Sequence, residues 1–195
     1  LGSFLHAVLE VLLREDQPSA TLTAEEAARR AGEVFDELGP SYAAAYYLPG
    51  ADGVRAEARH TATEAARELF RLLREQGYRV HAVEAEYECQ ALGSTLAGRA
   101  DLVLEPLAVV DLKAGDPRYK RDELAVGAAY QLATYGRLLK GRSKHLPPVA
   151  YFMLGQQELY TTHPTAFPGA APIAGPTIDA TWRATEAAQR TAWQH

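Results

Sequence analysis

The sequence predicts an α/β architecture, a mixed central β-sheet flanked by helices. Two observations predict it. Helical periodicity dominates residues 3–76, and the pattern then changes to alternation and short apolar runs. The resulting order is three helices, three strands, a helix, two strands and a helix. A chain of 195 residues with 47% apolar side chains fits one domain with a real core.

Residues 3–15 place Phe4, Leu5, Val8, Leu9 and Leu12 on one broad face, as an amphipathic helix does. Thr23 and Glu26 have the spacing of a capping box, so a second helix starts at Thr23 and runs to about Leu38, before Gly39-Pro40. A third covers roughly 53–76 and is ended by Gly77. Residues 79–90, RVHAVEAEYECQ, alternate like a half-buried strand. Residues 94–104 and 107–113 are two more strands, with a tight turn at Glu105-Pro106. Helical periodicity returns from about Asp122 to Lys140, where Gly141 stops it. Pro147 and Pro148 lead into the apolar strand VAYFMLG, with QELYTTH as its hairpin partner. The core then ends at about 162. Residues 163–177, with Pro164, Pro168, Pro172 and Pro176, read as a loop or wrapping segment outside the core. A C-terminal helix follows over 178–193.

Composition excludes several classes. Cys89 is the one cysteine, so no disulfide framework and no four-cysteine zinc or iron–sulfur site can form within the chain. That usage points to a reducing, cytoplasmic setting. The first apolar stretch is interrupted by His6, Glu10 and Arg14, so it is neither a signal-peptide core nor a membrane span. The chain lacks an initiator Met and opens on what reads as a helix, which predicts a fragment of a longer protein. A net charge of −5 argues against coating nucleic acid through bulk positive charge. The basic residues are nevertheless concentrated. Lys113, Arg118, Lys120, Arg121, Arg137, Lys140, Arg142 and Lys144 make 8 of the 20 within one stretch, which is either a solvated surface or a nucleic-acid face.

The chemistry concentrates in GRADLVLEPLAVVDLKAG, residues 98–115. Asp101 interrupts one apolar strand, and Asp111 and Lys113 interrupt the next. Residues i and i+2 of a strand share a face, so Asp111 and Lys113 project together with the Leu112 carbonyl between them. A hairpin would bring Asp101 alongside. Two carboxylates and an ammonium buried together need compensation, which a divalent cation supplies. A cation on Asp101, Asp111 and the Leu112 carbonyl could acidify water and neutralise a phosphodiester, with Lys113 stabilising developing charge. Strand-end salt bridges are the competing reading. His6 in G-x-x-x-H is either a structural helix residue or a ligand. Gln131 and Tyr135 share a helix face. Glu84, Glu86 and Glu88 alternate, most simply as a solvated strand face, with one of them able to support the metal.

GSFLH (2–6), GRAD (98–101), VVDLK (109–113) and QLATY (131–135) occur in an order that resembles the RecB-like nuclease domain of the PD-(D/E)XK superfamily, the type found at the C-terminal end of AddB and RecB. The resemblance implies a restriction-endonuclease-like core and Mg²⁺- or Mn²⁺-dependent cleavage of DNA. It implies His6, Asp101 and Asp111 as metal ligands and Lys113 as the catalytic lysine. Gln131 and Tyr135 match its supporting and DNA-contacting helix motif, and Glu84 lies near a family glutamate. Ala100 stands where the family's name has proline. Many relatives carry an iron–sulfur cluster, which this chain cannot ligate. The implied function is an exonuclease-type enzyme of DNA repair or recombination, linked to a helicase module and independent of membranes. Two other readings remain open: a catalytically inactive nuclease-fold DNA-binding module, and an unrelated α/β interaction domain.

Overall fold

A computed structural model describes residues 2–15, 22–141, 143–163 and 165–192. Arg142 of the basic run, Pro164 and the last expected helical position, Trp193, lie outside them. The elements are α1 (Gly2–Glu15), α2 (Ala24–Tyr42), a short 3₁₀ turn (Ala44–Tyr47), α3 (Asp52–Glu75), β1 (Arg79–Ala91), β2 (Ser94–Glu105), β3 (Ala108–Lys113), α4 (Pro117–Ala125), α5 (Tyr130–Leu139), β4 (Val149–Met153), β5 (Glu158–Thr161), β6 (Ala171–Pro172) and α6 (Ile178–Ala192). The six strands form one mixed sheet in the order β1-β2-β3-β4-β5-β6. β1, β2 and β3 form an antiparallel meander, β4 joins β3 in parallel, β5 is antiparallel to β4, and β6 is parallel to β5. This is the mixed sheet with flanking helices that the sequence predicts.

Each sheet face has its own core. Leu102, Leu104, Val110, Leu112 and Phe152 pack against α1, α2 and α3, where Phe4 meets Phe35 with ring centroids 4.7 Å apart. Val103, Val109, Tyr151 and Met153 pack instead against Leu132 and Tyr135 of α5 and Trp182 of α6. The Thr23–Glu26 capping box is present, with both side chains bonded back to the backbone.

Four expectations need correction. The second helix continues through Gly39-Pro40 to Tyr42: Pro40 forfeits its own amide bond near the helix end, and the Ala43 amide closes the last turn on the Gly39 carbonyl at 2.8 Å. The helix expected over 122–140 is two helices. The first begins earlier, at Pro117, with Asp116 as its cap and Pro117 in the first turn. It ends at Gly127, which has φ +72° and seats Ala128 N–H on the Glu123 carbonyl. Residues 163–177 do enter the core: Phe167 is 2% exposed and its ring lies 5.6 Å from that of Tyr78. The same segment supplies a sixth strand, β6.

Leu102 sits at the centre of the larger core, fully buried. Leu102→Ala should cost about 2–5 kcal/mol, whereas a change at exposed Glu88 should cost less than about 0.5 kcal/mol. The urea midpoint at constant m-value measures both.

Candidate active site

The site opens where two strands part. β2 and β3 pair at Leu104↔Ala108, Val103↔Val109 and Leu102↔Val110, a register that would next set Asp101 opposite Asp111. The ladder stops there. Asp101 Oδ2 instead accepts the Leu112 amide at 2.8 Å, so a side chain replaces a strand carbonyl as acceptor. β3 remains anchored on its other edge, with Asp111 beside Tyr151, Lys113 beside Met153, and the Lys113 carbonyl accepting the Leu154 amide at 2.8 Å. Asp101, Asp111 and Lys113 thus share the sheet face that α5 covers.

Asp111 is completely buried. Lys113 Nζ pairs with its Oδ2 at 2.6 Å, and among the described residues neither carboxylate oxygen meets a donor at hydrogen-bonding angles. Burial, with the negative charge of Asp101 second, pushes the Asp111 carboxyl up to about 7, against the opposing pull of Lys113.

His6 reaches this edge from α1. Its Nε2 lies 2.8 Å from Glu84 Oε1 and 3.7 Å from Asp101 Oδ2. The G-x-x-x-H spacing acquires a reason here. Gly2 lies on the same helix face, and a Cβ there would meet the Ala114 side chain at 3.1 Å, so glycine lets the helix approach the end of β3.

Glu84 does not belong to the solvated row. It has φ +50°. Before it Ala82 packs on the α5 side of the sheet, and after it Tyr87 and Cys89 do, so the alternation changes parity across Glu84. The partner strand does the same across Asp101, with Leu96 and Ala100 before it and Val103 after it on that side. The flanking pairs Val83↔Leu102 and Ala85↔Ala100 set Glu84 opposite Asp101. Its carboxylate therefore turns inward, while Glu86 and Glu88 remain exposed.

Donor atoms of His6, Glu84 and Asp101 all lie within 4.8 Å of one another. This differs from the expected set of His6, Asp101, Asp111 and Leu112. Glu84 is drawn in, Asp111 leans toward Lys113, and Leu112 contributes its amide to Asp101 while its side chain lies in the larger core. Three ligand-type side chains beside a buried carboxylate without donors are a donor set suited to a hard divalent cation.

α5 closes the site. Gln131 Nε2 donates to the Tyr135 hydroxyl at 2.8 Å. Burial, and then the charges of Asp111, Asp101 and Glu84, hold that phenol protonated well past neutrality. Gly98 permits the approach, since a Cβ there would meet Leu138 at 3.0 Å. Sequence reasoning missed two neighbours. Arg99 Nε binds Glu84 Oε2 at 2.8 Å. The Tyr151 hydroxyl donates to Glu123 Oε2 at 3.0 Å, and Lys120 Nζ binds Glu123 Oε1 at 2.7 Å. A tyrosine inside the apolar run VAYFM was the available signal for the second.

The model of the PD-(D/E)XK nuclease superfamily matches residues 1–194. The chain belongs to that superfamily. No curated protein matches it. Membership brings nuclease chemistry, a DNA substrate and divalent-metal dependence at the level of the family. No helix among the described residues is long and apolar enough to cross a membrane.

Because its pKa is raised from 3.8 to about 7, Asp111 favours folding when protonated. That stability is complete below about pH 4 and is lost as pH rises through 7. Without metal, Asp111→Asn should therefore be more stable than the wild type at pH 8, by on the order of 1–3 kcal/mol, and the gap should close toward pH 4. Denaturation in EDTA across that range checks it; a constant difference would contradict the assignment.

Proposed function

We propose that this chain is a metal-dependent deoxyribonuclease that hydrolyses phosphodiester bonds where β2 and β3 part. The observation that carries the reading is the buried Asp111 carboxylate paired with Lys113, beside His6, Glu84 and Asp101. His6, Glu84, Asp101 and Asp111, with the Leu112 carbonyl, would hold Mg²⁺ or Mn²⁺, and the histidine makes Mn²⁺ the better fit. A bound cation supplies charge neutralisation at the phosphoryl group and lowers the pKa of water.

The chain's own groups do the rest. The Leu112 amide fixes the Asp101 carboxylate. Lys113 presents its ammonium beside Asp111, where it can orient the attacking water and stabilise charge on the phosphorane-like transition state. Tyr135 remains a hydroxyl donor at neutral pH, steadied by Gln131. α5 covers this face, while His6 and Lys113 keep an exposed edge where substrate and water can enter.

The order of GSFLH, GRAD, VVDLK and QLATY, together with the meeting of His6, Asp101, Asp111 and Tyr135 about one opening, supports the RecB-like branch. On that reading the enzyme is an exonuclease of DNA repair or recombination, acting on strands or ends delivered by a helicase module in the cytoplasm. Residues 1–195 form its single nuclease domain.

Linear DNA with Mg²⁺ or Mn²⁺ should be digested by the wild type and spared by Asp111→Ala; equal digestion by both would sink the reading. Lys113→Ala should lower kcat by about 10²–10³-fold while calorimetry shows metal affinity little changed. His6→Ala should weaken Mn²⁺ binding, and an unchanged affinity would remove His6 from the ligand set.

A further inference from the structure

The active site is acidic and the whole chain carries −5, yet its substrate on the reading above is a polyanion. Some surface must hold that polyanion against repulsion. Most arginines of α2 and α3 cannot, because they are engaged: Arg30 with Glu15 and Glu37, Arg67 with Glu25 and Glu64, Arg71 with Glu68 and Glu75. The free positive charge lies elsewhere. A cleft of about 340 Å³ between the end of α5 and the face of α6 is walled by Arg137, Lys140, Lys144 and Arg183, over Trp182. Among the described residues Lys140, Lys144 and Arg183 make no ion pair, and Arg137 donates to the Gln90 carbonyl at 2.7 Å.

Asp179 and Glu186 also line the cleft, one turn to either side of Arg183 on α6 but with no ion pair to it among the described residues, and the Asp179 carboxylate accepts the Leu146 amide at 3.4 Å. The helix dipole accounts for cations at the end of α5. It does not account for Arg183, which comes from another helix and faces them. A second cavity, of about 420 Å³, continues the trough and shares Leu146, Asp179 and Arg183 with it.

We propose that this cleft is a remote subsite for the phosphodiester backbone of the DNA being cut. The proposal rests on the nuclease reading and extends it. α5 links the two places: Gln131 and Tyr135 face the carboxylates, and Lys140 caps the opposite end. Along α5 the rise to Lys140 is about 7.5 Å from Tyr135 and about 13.5 Å from Gln131 at 1.5 Å per residue, or roughly two to four phosphates of a strand at 3.4 Å each. A substrate shorter than that cannot use the cleft, and a longer one can.

The test uses the combined variant Lys140→Ala, Lys144→Ala, Arg183→Ala, whose side chains make no bond among the described residues, so its thermal midpoint should match the wild type. Anisotropy of a labelled oligonucleotide in EDTA should show about tenfold weaker binding, with the slope of log K against log salt reduced by about two. With Mn²⁺, KM should rise for the oligonucleotide and stay unchanged for a chromogenic phosphodiester smaller than the α5 span. Arg183→Lys should retain wild-type binding, since the charge is kept. Unchanged binding and salt slope would overturn the proposal, and so would an equal loss on the short and long substrates. If the wild type bound the oligonucleotide through these residues but cleaved neither substrate, the nuclease reading would fail and the cleft would stand as a nucleic-acid site.

Discussion

The arrangement depends on one exchange of hydrogen-bond partners. The Leu112 amide is taken by the Asp101 carboxylate, where continued strand pairing would have used a main-chain carbonyl. That substitution lets β2 leave β3 without abandoning a buried donor, which would be costly. It also fixes the Asp101 side chain at the mouth of the gap it creates. Everything else is arranged around that gap. β4 pairs with β3 along its other edge, α1 delivers His6, and α5 covers the face.

The gap is energetically adverse in itself. Asp111 is buried with no hydrogen-bond donor, and its raised pKa records that it resists ionisation. Lys113 offsets the charge only in part. A site built this way gains affinity for a cation from the destabilisation it relieves, so metal binding and folding are thermodynamically linked. The cores on both sheet faces must absorb the cost. The fully buried residues around Leu102, Leu104, Tyr151 and Phe152 are the structural counterweight.

Much of this was legible in the sequence, for physical reasons that differ by element. The strand pair around Asp101 and Asp111 was readable because charges within apolar runs have few innocent explanations. The α4–α5 break was not. Continuous helical periodicity ran through Gly127, and the Asp116-Pro117 start lay outside the window that periodicity highlighted. Phe167 was hidden because a proline-rich stretch reads as exposed although one aromatic anchors it. Glu84 was obscured by the regularity of its neighbours. Alternation assigns Glu84, Glu86 and Glu88 to one face, and only a left-handed backbone at Glu84 separates the first from the others.

That backbone reversal divides the β1–β2 hairpin into two lengths with separate duties. The proximal length, up to Glu84 and Asp101, is tied into the carboxylate cluster. The distal length, out to Leu92 and Gly93, packs on α5 through the opposite parity and ends beside α6. Lengthening the hairpin tip by residues added in cross-strand pairs would move its loop outward without rotating a single proximal side chain. The hairpin is therefore a place where this architecture can change its reach toward a partner or a strand while its chemistry stays constant.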